Sequence, residues 1–126
     1  MKIGEVIKLV NGLKPNQYTD EQKIAWLSEC DSAIWKNIIS THEKVSGMPE
    51  TFYGYTADIN RDTELLAPAP HDVIYRYLLE MNIDLYNKEV NNYNNTSRLY
   101  NNAYSEFAAW WNRTYMPLSR VDHFTL

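Results

Sequence analysis

The sequence predicts an all-α protein: a helical bundle with one or two long helices and an irregular arm at about residues 44–68, where a small β-hairpin would fit. Three observations predict it. Apolar residues recur at spacings of three and four through three long stretches, the period of a helix with one buried face. Only four glycines and five prolines punctuate 126 residues, so elements are long and tight turns few. Thr19 and Gln22 stand in the spacing of a capping box, a helix-start signature. Residues 1–117 read as one helical domain and 118–126 as a C-terminal tail. A chain of this length can bury a core without disulfide or metal staples.

Residues 2–13 form the first element. Ile3, Val6, Ile7 and Val10 follow the i, i+3, i+4, i+7 pattern, and Asn11-Gly12 followed by Pro15 ends it. The second helix is expected over roughly 20–43. Asp20 and Glu21 suit its positive N-terminal end, behind the Thr19 cap. Ile24, Leu27, Ile34 and Ile38 mark one face, and Trp26, Cys30 and Ala33 a neighbouring one, so its apolar surface is wider than a single stripe.

The helical pattern fails over residues 44–68. Gly47, Pro49 and Gly54 interrupt it, and Thr51-Phe52-Tyr53 and Tyr55-Thr56 have strand-like composition. A structureless connection of this length is unusual in a small domain, so the segment holds a hairpin or serves as a functional arm. Asp58, Asn60, Asp62 and Glu64 alternate as in a calcium loop. The loop's glycine position is Thr63 and its closing glutamate position is Ala69, which argues for a solvated turn.

After Pro68 and Pro70 a third helix begins. Ile74, Leu78, Met81 and Leu85 form one seam and Tyr75, Leu79, Tyr86, Val90 and Tyr93 an adjacent one, so it needs two neighbours. Leu79, Tyr86, Tyr93, Tyr100 and Phe107 then keep a seven-residue spacing through an asparagine-rich stretch. Asn91, Asn92, Asn94 and Asn95 together weaken a helix by about 2 kcal/mol relative to Ala, which invites a helical hairpin with Thr96 or Ser97 capping its second arm. The unbroken phase, with no Gly or Pro, favours one helix from roughly 70 to 114 instead. Such a helix would span about 65 Å against about 35 Å for the second helix, more than a monomer covers. Its aromatics would then meet other subunits, and the asparagines would either hydrogen-bond across a subunit boundary or form a solvent face. Met116-Pro117 stops the helix.

Of the adjacent Trp110 and Trp111, one is expected in the core and the other partly exposed, unless the pair anchors an interface, where Trp and Tyr concentrate binding energy. The expected contact residues are Tyr86, Tyr93, Tyr100, Phe107, Trp110, Trp111 and, in the tail, Phe124. Ten Tyr and four Trp suit surfaces that are apolar at one end and wet at the other.

No enzyme is expected. His42, His71 and His123 are far apart in sequence, and no metal-ligand spacing, phosphate loop or nucleophile motif occurs. Asp72, Glu80, Asp84 and Glu89 read as a solvated face. No metal or cofactor is implied. The lone Cys30 reads as a small buried hydrophobe in a reducing compartment. Net charge is −4, without the clustered Lys and Arg of a nucleic-acid grip. No apolar run reaches membrane length.

Three stretches carry a resemblance: KPNQYTDEQKIAWLSECD (14–31), TELLAPAPHDVIYRYLLEMNIDLYNKEV (63–90) and YNN…YNNAYSEFAAWWNRTYMP (93–117). Together they resemble head–tail connector or adaptor proteins of tailed bacteriophages and prophages of Gram-positive hosts. The likeness is structural and offers no active site. It implies a virion protein of the neck region, made in the host cytoplasm. Many copies would ring the portal vertex and extend the DNA channel. Its partners would be itself, the portal protein and downstream neck and tail proteins, with DNA only as passing cargo. The tail 118–126 runs past the Met-Pro stop. The alternative is a phage or bacterial protein-interaction module outside the virion, without catalytic activity.

Overall fold

A computed structural model describes residues 1–118. The protein is all-α, built from helices α1 (Ile3–Leu13), α2 (Asp20–Ile34), α3 (Val73–Tyr86) and α4 (Val90–Thr114). A π-helical turn, Trp35–Ile39, extends α2 without interruption, so the second helix covers most of the span its sequence predicts. Ser40 closes it by donating from its N–H to the Trp35 carbonyl at 2.8 Å.

The first two helices form where their patterns place them. Ile3, Val6, Ile7 and Val10 are all buried, as are Ile24, Leu27, Ile34 and Ile38. The capping box is made: the Gln22 N–H donates to Thr19 Oγ1 at 3.2 Å, and the Thr19 N–H donates to Gln22 Oε1 at 2.9 Å.

The single long helix over 70–114 does not form. The chain reverses at Asn87–Glu89, earlier than the asparagine run that would have suggested a turn. The Glu89 N–H reaches back to the Asp84 carbonyl at 2.9 Å and the Lys88 N–H to the Leu85 carbonyl at 3.1 Å, with Lys88 at φ +61°. This is the Schellman arrangement, a helix end whose left-handed residue is usually Gly. Here it is Lys, and for that reason the sequence carries no stop signal.

α4 then folds back along α3, and the heptad of aromatics acquires a different meaning. Thr96, Ala103, Phe107 and Trp111 are buried, and Tyr93 and Tyr100 half-buried, on the face toward α3. Large rings alternate with small side chains, which lets the two helices close on each other. The asparagines at 91, 92, 94, 95, 101, 102 and 112 are all exposed. The expectation of a helix of about 65 Å is therefore corrected, and the reversal halves the length to be covered: Phe107 is buried, Tyr93 and Tyr100 are half-buried and Tyr86 stays exposed. α3 is the central element. It packs against α1, α2 and α4, so both of its apolar seams find neighbours within the chain.

No strand or hairpin forms over 44–68 among the described residues. The segment is a succession of turns laid on the bundle. Val45, Met48, Phe52, Tyr55 and Ile59 pack partly buried against the core, and Leu65, Leu66 and Ala67 enter it. Gly54, at φ +88°, lets the backbone approach α2 so closely that the Tyr55 N–H donates to Ser28 Oγ at 2.8 Å.

One register organises the whole. Lys14 bonds Asp84, Gln17 bonds Asn87, Cys30 meets Tyr100, and His42 meets Asn112, each pair 70 residues apart. Residues 14–42 therefore run beside residues 84–112 in the same direction.

Candidate functional site

Two features stand out once the core is set aside: a buried polar centre and a scatter of exposed apolar side chains. The polar centre is built on Asp31, fully buried on α2. Tyr55 and Tyr75 both donate their hydroxyls to its carboxyl group, the latter at 2.6 Å, and the Leu66 N–H donates at 3.1 Å. The Ala67 N–H in turn donates to the Tyr75 hydroxyl oxygen at 2.7 Å. One side chain thus ties α2, α3 and two points of the 44–68 segment. Burial raises the Asp31 pKa above the usual carboxylate range, against the opposing pull of these donors.

Beside it, Cys30 faces the Tyr100 hydroxyl at 3.7 Å. Burial, the neighbouring Asp31 and an opposing contact from Tyr100 leave the thiol pKa pushed up to about 12. A thiol so protonated is a poor nucleophile, which fits the buried-hydrophobe reading of Cys30. Burial likewise raises Tyr55, Tyr75 and Tyr100.

The acidic residues of α3 need correction. Glu80 and Asp84 are buried rather than solvated. Asp84 accepts from Lys14 Nζ at 2.6 Å and from Thr96 Oγ1 at 3.0 Å, joining the α1–α2 link to both arms of the hairpin. Arg76 pairs with Glu80 at 3.0 Å. Lys23, also buried, donates to Asn11 Oδ1 and to the Tyr18 carbonyl, each at 2.8 Å, and desolvation lowers its pKa. These groups bridge elements; they do not converge on an open cleft. Apart from the Arg76–Glu80 pair, four residues apart on α3, sequence spacing gave no sign of them, because the partners are distant in the chain or supplied by backbone.

The expected contact residues divide. Phe107 and Trp111 belong to the core. Trp111 Nε1 is buried with no hydrogen-bond partner among the described residues. Trp110 is half-buried, its ring 4.8 Å from that of His71. Tyr100 and Tyr93 are half-buried along the hairpin seam. Tyr86 remains 57% exposed, its ring stacked on Trp26 at 5.6 Å and 7°. Phe124 lies outside the described residues. The tryptophan pair thus splits, Trp111 inside and Trp110 at the margin.

Sequence reading missed Leu9, Leu13 and Leu99, and it placed Leu85 and Val90 in apolar seams, whereas both are exposed. Leu9 and Leu13 lie one turn apart on the outer face of α1, and Leu99 is exposed on α4. Leu85 and Val90 flank the α3–α4 reversal, Tyr53 is almost wholly exposed on the 44–68 segment, and Met116 and Leu118 follow α4. Leu9 and Val90 could have been found as apolar residues out of phase with the buried face of their own helix.

Among the described residues no group of three or more His, Cys, Asp or Glu side chains gathers as a metal site, and no helix is long and apolar enough to cross a membrane. No protein-family model, curated protein or solved structure matches the chain.

Proposed function

We propose that this chain is a structural subunit of a tailed-phage virion, a head–tail connector or adaptor that assembles as a ring at the portal vertex and extends the DNA channel. One observation carries the reading: apolar side chains are exposed on two different helices that both pack on α3, Leu9 and Leu13 on α1 and Leu99 on α4. A closed ring is made by heterologous contact, in which one face of each subunit meets a different face of the next. Two unlike apolar faces on one subunit supply that geometry. The Lys14–Asp84–Thr96 contact supports it by tying the end of α1 and the start of α4 to α3. The sequence resemblance supplies the setting, and the mild negative charge suits a channel that does not grip phosphate.

The test is native mass spectrometry and light scattering of the purified protein, alone and with the portal protein of the same phage. Oligomers that Leu9→Glu and Leu99→Glu each abolish, with unchanged far-UV circular dichroism, support the ring. An interaction module outside the virion needs one face only. Loss of partner binding in one variant and none in the other would favour that module and overturn the ring.

A further inference from the structure

A groove of about 410 Å³ opens at the end of the second helix. Trp35 and Ile39 of the π-helical turn line it, together with Val45 and Met48 of the following segment. Trp35 Nε1 donates to the Pro49 carbonyl at 3.2 Å, which ties the segment after residue 44 to the helix. The last described residue, Leu118, is half-exposed at the groove's margin.

The backbone just before the groove sets a direction. The Glu43 N–H donates to the Met116 carbonyl and the Leu118 N–H to the Thr41 carbonyl, both at 2.9 Å, with His42 and Pro117 bridged antiparallel between them. Residue 116 thus lies by 43 and residue 118 by 41. Up to Leu118 the chain therefore runs from beside Glu43 to beside Thr41, and Leu118 lies at the groove.

Eight residues follow, SRVDHFTL. They carry Val121, Phe124 and Leu126, apolar groups matched to a lining that includes Trp, Ile, Val and Met. They also carry Arg120 and Asp122, opposite in sign to Glu50 and Lys44, which lie 3.3 Å apart at the exposed rim. Phe124 lies within about 20 Å of Leu118 even with the intervening chain extended. The tether holds its effective concentration near the groove in the millimolar range.

We propose that this groove is the seat of the chain's own C-terminal segment, with Phe124 placed against Trp35 and Met48. The proposal is independent of the ring: it concerns how one chain completes its own surface.

The test uses the full chain with Met48→Cys and Phe124→Cys together, under mild oxidation at micromolar protein, read on non-reducing gels and by mass spectrometry. Cys30 is buried and stays out of the chemistry. The comparison pair is Leu13→Cys with Phe124→Cys. Leu13 adjoins the Lys14–Asp84–Thr96 contact, and Thr96 is about 24 Å along α4 from Asn112 at the groove end. The groove pair is expected to form an intrachain disulfide about tenfold faster than the comparison pair. Equal rates would overturn the proposal, and so would a covalent dimer as the main product, which would make the occupant a second copy. A second measurement does not depend on thiols. Met48→Ala and Phe124→Ala are expected to be non-additive by about fivefold in the folded-to-unfolded ratio, and additivity would overturn the proposal.

Discussion

Tyr75→Phe removes one oxygen atom from the centre of the molecule. That hydroxyl donates to Asp31 at 2.6 Å and accepts from the Ala67 N–H at 2.7 Å, and all three residues are fully buried. The ring keeps its shape, so no packing term enters. What changes is that a backbone donor and a carboxyl oxygen both lose their partner in a place water does not reach. Each such orphan costs about 1–3 kcal/mol. The two share one deletion and relax together, so we expect a loss of about 3 kcal/mol. In urea, with a slope of about 2 kcal/mol/M, the midpoint falls by about 1.5 M. The thermal midpoint falls by roughly 10 °C. The assay is urea unfolding followed by tryptophan fluorescence, with Tyr53→Phe as control, because Tyr53 is 93% exposed. The control should lie within about 0.5 kcal/mol of the parent. Hydrogen exchange adds a local readout: the Ala67 amide should lose protection. A Tyr75→Phe midpoint indistinguishable from that of Tyr53→Phe would refute the claim that this hydroxyl ties α3 to the 44–68 segment.

Three further outcomes are expected. Lys88→Gly should stabilise by about 0.5–1 kcal/mol in the same urea assay, because it relieves a left-handed backbone at φ +61° without touching the turn's hydrogen bonds; a destabilised variant would contradict the helix end described here. Gly54→Ala should cost about 2–3 kcal/mol, since the residue sits at φ +88° and a new Cβ would lie 2.4 Å from Ser28 Oγ, which already accepts from Tyr55; an unchanged melting temperature would count against that close approach. Asp31 has a folded-state pKa raised above its unfolded value by burial, so its ionisation disfavours the folded state. Its contribution to stability is fully present below the unfolded pKa and is lost as pH rises through the raised one. The stability difference between parent and Asp31→Asn should therefore shift against the parent as pH increases, and a difference that grows in the parent's favour would invert the assignment.

The parts legible in the sequence are those whose cause is local. The buried face of α1, the Thr19–Gln22 cap and the wide apolar surface of α2 follow from residues within a few positions of one another. The reversal at Lys88 was hidden because its backbone conformation is held by tertiary packing and not by residue preference: a Lys stands where a Gly would have announced the turn. The seven-residue spacing across it misled for a related reason. Tyr86 stacks on Trp26 while Tyr93, Tyr100 and Phe107 line the seam of α4, so the shared phase spans two helices with different neighbours. Asp31 and Asp84 were out of reach because their partners are brought together only by the fold. The pattern of exposed apolar side chains was half visible. Aromatic abundance drew attention to Phe107 and Trp111, which the core absorbs, while Tyr53, Val90, Met116 and Leu13 are among the most exposed large apolar side chains.

The constant offset of 70 residues has a consequence for biosynthesis. Each of those cross-links has one half made long before the other leaves the ribosome. While α2 emerges, the groups that will satisfy Asp31 from α3, and those that will meet Cys30 and His42 from α4, have yet to be translated. The early part of the nascent chain must stay loosely wrapped until α4 slides in beside it, and closure of the domain becomes a late, concerted event that waits for α4.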